Sequence, residues 1–243
     1  MTRTSCVVTL SPRDCDAVLF DLDGVLTRTA SVHAVAWKDL FDGFLRERAD
    51  ATGVPFVPFD LAADYRRYVD GKPRRDGVVS FLASRGIELP EESPAGKPEV
   101  PSIGSLAARK DDGFLSALRR DGVEVYPDAI ALVRSLRAED VFTGVVSSSR
   151  NCAAVLEAAG IADLFDVRVD GLDVERHGLA GKPAPDTFLE AARRLRVQPS
   201  RTVVVEDAIV GVAAGRAGGF GNVIGVDRGG QSRALRGAGA DVV

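Results

Sequence analysis

The stretch Ala17-Val18-Leu19-Phe20-Asp21-Leu22-Asp23-Gly24-Val25-Leu26-Thr27 decides how the rest of the chain is read. Four apolar residues read as a buried strand and run into two carboxylates one residue apart, then a glycine. Ending a buried strand in paired acids is unfavourable unless they meet a metal or a cationic partner. Gly24 lets the chain turn sharply as it leaves the strand. In an open parallel sheet, ligands bind beyond the carboxyl ends of the strands, where Asp21 and Asp23 would stand. The plainer alternative is a pair of solvated turn aspartates, and other segments must decide between the two.

Downstream, residues 34–48 carry Val35, Trp37, Leu40, Phe41, Phe44 and Leu45 at helical spacing, with one apolar face. Two prolines and a glycine make 51–59 a loop. Helices are expected over 61–69, 75–85 and 106–120, with a linker-like segment at 91–105. No convincing strand occurs between about 33 and 118. After that the pattern changes: helix 128–138, strand 141–146, helix 151–159, strand 166–169, helix 187–195, strand 202–205, helix 211–217 and strand 222–226. Strands alternating with helices predict an α/β fold, a Rossmann-like parallel sheet covered on both faces. The expected organisation is a discontinuous core, 1–32 with 119–243, and an inserted α-helical cap domain at 33–118.

The bulk properties exclude several classes. A 243-residue chain of net charge −4 gives no reason to expect nucleic acid or an acidic membrane surface as partner. No apolar run is long enough for a transmembrane helix, and the polar start, broken by Pro12, does not resemble a secretory signal. Cys6, Cys15 and Cys152 are scattered and odd in number, which suits structural thiols in a reduced cytoplasm. We expect a cytoplasmic monomer. The last residues, Gly239 to Val243, look like the start of a strand, so the natural C-terminus is expected to lie further on.

Three strands end in suggestive polar residues: Asp21 and Asp23, then Ser147-Ser148-Ser149, then Glu206-Asp207. Gly181-Lys182-Pro183-Ala184-Pro185-Asp186 leads into a helix between the last two. Gathered at one sheet edge, these carboxylates, hydroxyls and one ammonium suit phosphoryl transfer. Carboxylate clusters favour magnesium, a serine with helix N-terminal amides can hold phosphate oxygens, and a lysine offsets the charge on the transferring group. No P-loop pattern is present, which leaves an aspartate nucleophile as the covalent option.

On these motifs, in this order, the chain resembles the haloacid-dehalogenase superfamily of aspartate-nucleophile phosphotransferases, in its β-phosphoglucomutase-like branch with a helical cap. The resemblance spans essentially the whole sequence. It implies Asp21 as nucleophile and Mg2+ ligand, and Asp23 as general acid and base that also offers its backbone carbonyl to the metal. Ser147 and Lys182 would hold the phosphoryl group, and Glu206 and Asp207 would complete the metal site. Substrate contacts are expected from Thr29, His33, Gly71, Lys72 and Arg74, and from Ser148, Ser149 and Asn151. Arg74 would grip a phosphate that is not transferred, and Arg109-Lys110-Asp111 resembles a segment bordering the site. Gly-Lys-Pro occurs at 71–73, 96–98 and 181–183, and only the last copy precedes a helix in the strand-rich half. Arg28 and Asp70 depart from the branch, the latter standing where the sugar-phosphate mutase carries a lysine. The expected activity is a sugar-phosphate mutase or phosphatase, acting on a small phosphorylated metabolite. A general small-molecule phosphatase and a non-catalytic phosphoacceptor module are the alternatives.

Overall fold

The computed structural model describes residues 10–97 and 99–243, so Cys6 and Pro98 lie outside the description. Contacts divide the chain into two units, Met1–Arg28 with Glu124–Val243, and Thr29–Val123.

In the first unit, β1 (Ala17–Phe20) is the middle strand of a five-stranded, all-parallel sheet with β2 (Phe142–Val146), β3 (Val167–Val169), β4 (Thr202–Glu206) and β5 (Asn222–Gly225) in the order β3-β2-β1-β4-β5. All four β1 residues are fully buried. Side chains alternate between the faces of a strand, so both faces of β1 are covered, which explains its unbroken apolar run. Leu19 pairs with Gly144 on one side and Val204 on the other. A Cβ on Gly144 would stand 2.6 Å from Val167 and 2.7 Å from Leu19, so that position must be bare. The order reverses at β1, with β2 and β3 on one side and β4 and β5 on the other. That reversal opens a crevice at the carboxyl ends of β1 and β4.

Helices α4 (Pro127–Ala138), α5 (Cys152–Ala158), α6 (Gly171–His177), α7 (Asp186–Leu195), α8 (Ile209–Ala217) and α9 (Ser232–Ala238) complete this unit. Phe188, Ala191 and Ala192 of α7 pack on Leu19, Val146, Val169 and Val204. Helices α6 and α9 escape a periodicity reading because each has seven residues and few apolar ones. Helix α6 is held by a capping box: Asp170 accepts from the amides of Leu172 and Asp173, and Asp173 accepts from the Asp170 amide. The C-terminal segment makes one parallel bridge, Ile224 with Val242. Where the chain leaves and re-enters this unit, its two segments run side by side. Thr27 bridges Val125 antiparallel, Arg28 N donates to Glu124 O at 2.8 Å, and Tyr126 N donates to Leu26 O at 2.9 Å.

The second unit contains α1 (Thr29–Thr52), a π-helical turn at Tyr65–Val69, α2 (Arg74–Ser84) and α3 (Ile103–Asp121). Trp37, Phe41, Phe44, Phe59, Phe81, Leu82 and Leu106 form its core, with Phe41 and Phe81 centroids 4.1 Å apart. Helix α1 runs past the expected stop to Thr52, and Gly53 ends it at φ 72°. The expected helix at 61–69 is helical over 63–69 after a turn at 61–62, and it is π-helical over Tyr65–Val69. The loop before it is tied down by buried Asp42, whose carboxylate accepts from Phe59 N at 2.7 Å and Lys38 Nζ at 2.8 Å.

Candidate active site

Lys182 sits in the loop before α7 and is 3% exposed. Its ammonium donates to Asp21 Oδ1 at 2.5 Å, Glu206 Oε1 at 2.6 Å and the Val146 carbonyl at 3.3 Å. An ammonium has three protons, and each finds an acceptor at the end of a different strand: β1, β4 and β2. One side chain therefore ties three adjacent strand ends together.

Burial pulls a lysine toward its neutral form, but the carboxylates of Asp21 and Glu206 outweigh this and hold Lys182 charged, well above its ordinary range. For Asp21, burial pushes the carboxyl well above its usual range. Lys182 opposes this, while the negative charges of Glu206 and Asp23 reinforce it. The Asp21 amide continues the ladder to Val205 O at 2.9 Å, which fixes the carboxylate relative to β4.

Glu206 is fully buried and both its oxygens are engaged, Oε1 by Lys182 and Oε2 by Ala208 N at 2.6 Å. A Cβ on Gly211 would stand 1.7 Å from Oε1, so the first turn of α8 makes room for that oxygen only through glycine. Asp207 lies against the turn after β1: a Cβ on Gly24 would stand 1.9 Å from Asp207 Oδ2. Gly24 adopts φ 89° and donates to Thr27 O at 2.8 Å. This left-handed turn returns the chain sharply and leaves Asp23 partly exposed.

Ser147 follows β2 and is buried, its amide bonded to Val169 O at 3.0 Å. Its Oγ accepts from Ser149 N at 3.1 Å, which leaves the hydroxyl proton able to donate elsewhere. Ser149 Oγ in turn accepts from Asn151 N, and Ser149 O from Gly171 N. Ser148 and Arg150 crowd Gly171, where a Cβ would stand 2.8 Å from Ser148 O. These contacts make 147–151 a hydrogen-bonded loop at the end of β2.

Thr29, His33, Gly71, Lys72 and Arg74 belong to the second unit. Thr29 is buried at the start of α1. His33 stacks on Phe114 with centroids 4.0 Å apart, and its Nδ1 accepts from Lys110 Nζ at 2.5 Å. Lys110 is 5% exposed, lying over the rings of Trp37 and Phe114. The sequence reading named it within Arg109-Lys110-Asp111 but did not show its burial, because a lysine on a helix ordinarily reads as solvated. Arg74 pairs with Asp111 at 2.7 Å and donates to Ala107 O at 3.2 Å. Gly71 has φ 68°, and Lys72 donates to Ser80 Oγ at 2.9 Å. The other lysine of a Gly-Lys-Pro copy, Lys97, is exposed.

Arg28 pairs with Glu124 at 2.8 Å and lies over the Tyr126 ring. Cys15 and Cys152 are free and buried, and burial raises both thiols, which keeps them neutral and inert. No helix among the described residues is long and apolar enough to cross a membrane.

The family of haloacid dehalogenase-like hydrolases matches residues 15–219. The chain is 49% identical over 235 residues to the beta-phosphoglucomutase of Mycobacterium bovis, covering 96% of this chain and 90% of that one. It is 29% identical over 205 residues to the fructose-1-phosphate phosphatase of Escherichia coli, covering 84% and 92%. Among solved structures, the beta-phosphoglucomutase of Clostridium difficile superposes with a TM-score of 0.73 at 25% identity, covering 94% of this chain and 90% of that chain. The parallel sheet, its strand order and these similarities agree, and the chain belongs to the haloacid dehalogenase-like hydrolases, enzymes of the phosphatase and phosphomutase type.

Proposed function

We propose that the protein is a Mg2+-dependent sugar-phosphate mutase that carries the phosphoryl group on Asp21. The observation that carries this reading is the three-way anchoring of Lys182, which sets a buried carboxylate and a permanent cation side by side at the sheet's ligand edge.

The donor set suits a hard cation. Asp21, Asp207 and the Asp23 backbone carbonyl would hold it, all through oxygen. Among the described residues no three His, Cys, Asp or Glu side chains form a ready-made metal cluster. Magnesium keeps several waters and takes one or two carboxylates beside substrate phosphate, so a sparse set fits it. Glu206 was expected as a direct ligand, but with both oxygens engaged it is better read as the residue that positions Lys182. When bound, the cation would offset charge on the phosphoryl oxygens.

In the forward step an Asp21 oxygen attacks phosphorus, the bond from phosphorus to the sugar oxygen breaks, and Asp23 gives its proton to that oxygen. In the return step a sugar hydroxyl attacks the aspartyl phosphate, Asp23 takes its proton, and Asp21 leaves as a carboxylate. The Ser147 hydroxyl would donate to the phosphoryl oxygens, and the Lys182 charge beside Asp21 would offset their negative charge. Lys182 has a second duty. A nucleophile must be ionised; burial favours the neutral Asp21 acid, and the adjacent ammonium opposes that.

Hydrolysis is the second reading. It is favoured by Asp70, which stands where the mutase would carry a cation, and by the likeness to a sugar-phosphate phosphatase. Glucose 1-phosphate supplied with Mg2+, with and without a sugar bisphosphate primer, separates the two. A mutase accumulates glucose 6-phosphate when primed. Free phosphate as the main product in both arms would overturn the mutase reading and leave the phosphatase.

A further inference from the structure

The loop between β5 and α9 is absorbed by none of the roles above, yet it touches both halves of the candidate cation site. Asp227 organises it: Oδ1 accepts from Gly229 N and Gln231 N, and Oδ2 accepts from Ser232 N and Ser232 Oγ. From this frame Arg228 Nε donates to the Gly24 carbonyl at 2.8 Å, and Gln231 Nε2 donates to the Asp207 carbonyl at 3.2 Å. The Arg228 guanidinium is itself oriented, lying 3.6 Å from the centroid of the Tyr126 ring, on which Arg28 also rests at 4.5 Å. The strand before the loop is tied to the same edge through Val226 N and Glu206 O at 2.7 Å.

We propose that Arg228 and Gln231 are positioning residues, holding the carbonyls of Gly24 and Asp207 and so fixing the spacing of the oxygens that receive the cation. The proposal rests on the metal reading given above. The physical argument is preorganisation. The turn after β1 leaves its strand through a glycine, and Asp207 lies beyond the end of β4, so neither is held by the sheet ladder alone. A hydrogen bond from a stacked guanidinium fixes the first, and an amide from the same rigid loop fixes the second. Because one loop makes both bonds, it sets the distance between the two groups rather than the position of each separately. Arginine suits the task better than lysine, since its planar group can lie flat on Tyr126 while Nε–H points at the carbonyl.

The test uses the full chain without substrate, titrated with MgCl2 by calorimetry. Arg228→Ala is expected to weaken Mg2+ binding about tenfold, Gln231→Ala about threefold, and Arg228→Lys to an intermediate degree. Amide exchange across 22–27 and 206–208 should also quicken in metal-free Arg228→Ala. Mg2+ affinity unchanged within about twofold in folded Arg228→Ala and Gln231→Ala, with only the unfolding midpoint lowered, would overturn the proposal and leave the loop a structural tie. Failure of the unaltered protein to bind Mg2+ would instead strike at the metal reading itself, and this inference would fall with it.

Discussion

Two sets of charged residues in this protein are built on opposite plans. Around Lys182 the carboxylates of Asp21 and Glu206 are buried and bonded at strand ends, so the group is tightly held. In the helical unit, Arg74 with Asp111 and Lys72 with Ser80 are partly exposed pairs on short segments and helix surfaces. Such pairs contribute little to stability and can exchange partners at low cost. The first plan suits chemistry, which needs reacting groups held within a fraction of an ångström. The second suits selection, where an arginine held ready by a neighbouring carboxylate can pass to a phosphate.

Breaking the first plan should have the largest effects. Asp21→Asn removes the nucleophile and should abolish turnover, and Asp23→Asn should lower it by about 10²- to 10⁴-fold. Magnesium-dependent turnover persisting in Asp21→Asn, read by phosphate release, would sink the nucleophile assignment. Lys182→Met leaves two carboxylates buried without their cation and should destabilise the fold by about 3–5 kcal/mol, measured by urea unfolding. A loss near zero would mean that the cluster relaxes more freely than its burial implies.

On the second plan, Arg74→Ala should remove isomerisation of glucose 1-phosphate while sparing hydrolysis of a small aryl phosphate. Equal loss of both would move Arg74 into the chemical step. Its effect on stability should stay within about 1 kcal/mol, because the pair with Asp111 is partly solvated.

The smallest effect is a pH dependence. Hydrogen bonds from Ser232 and the neighbouring amides hold the Asp227 carboxyl at about 2. A lowered folded value means that the carboxylate stabilises the protein fully above its unfolded pKa and loses that contribution as pH falls. The unfolding-midpoint gap between the unaltered protein and Asp227→Asn should therefore be full near neutrality and close between about pH 4 and pH 2. A gap that does not change with pH would contradict it.

Much of the first plan is legible before any coordinates, because buried strands leave long apolar runs and their ends leave acids. Asp21-Leu22-Asp23-Gly24 after an apolar tetrad, and Glu206-Asp207 after Val203-Val204-Val205, announce themselves in this way. Choosing Lys182 among three Gly-Lys-Pro copies required context, since the tripeptide does not reveal that Lys182 is buried while Lys97 is exposed. For Glu206 a sequence shows that a carboxylate exists but not that each of its oxygens accepts a hydrogen bond. Arg228 and Gln231 left no trace, lying in the apolar-poor loop Asp227-Arg228-Gly229-Gly230-Gln231 with neither periodicity nor motif. Lys110 was obscured for the opposite reason, because its helix is regular and a lysine there looks ordinary.

The antiparallel pairing of Leu26-Thr27-Arg28 with Glu124-Val125-Tyr126 bears on how the chain tolerates change. Everything from Thr29 to Val123 begins and ends at two hydrogen-bonded neighbours, so topologically it is one closed excursion from the sheet. The entropy of closing such an excursion grows only logarithmically, about 0.6 kcal/mol for each doubling of its length. The paired ribbon therefore acts as a graft point. An insert of another size can leave from the same two residues and return to them while the catalytic edge keeps its register, so this region can be exchanged without rebuilding the sheet.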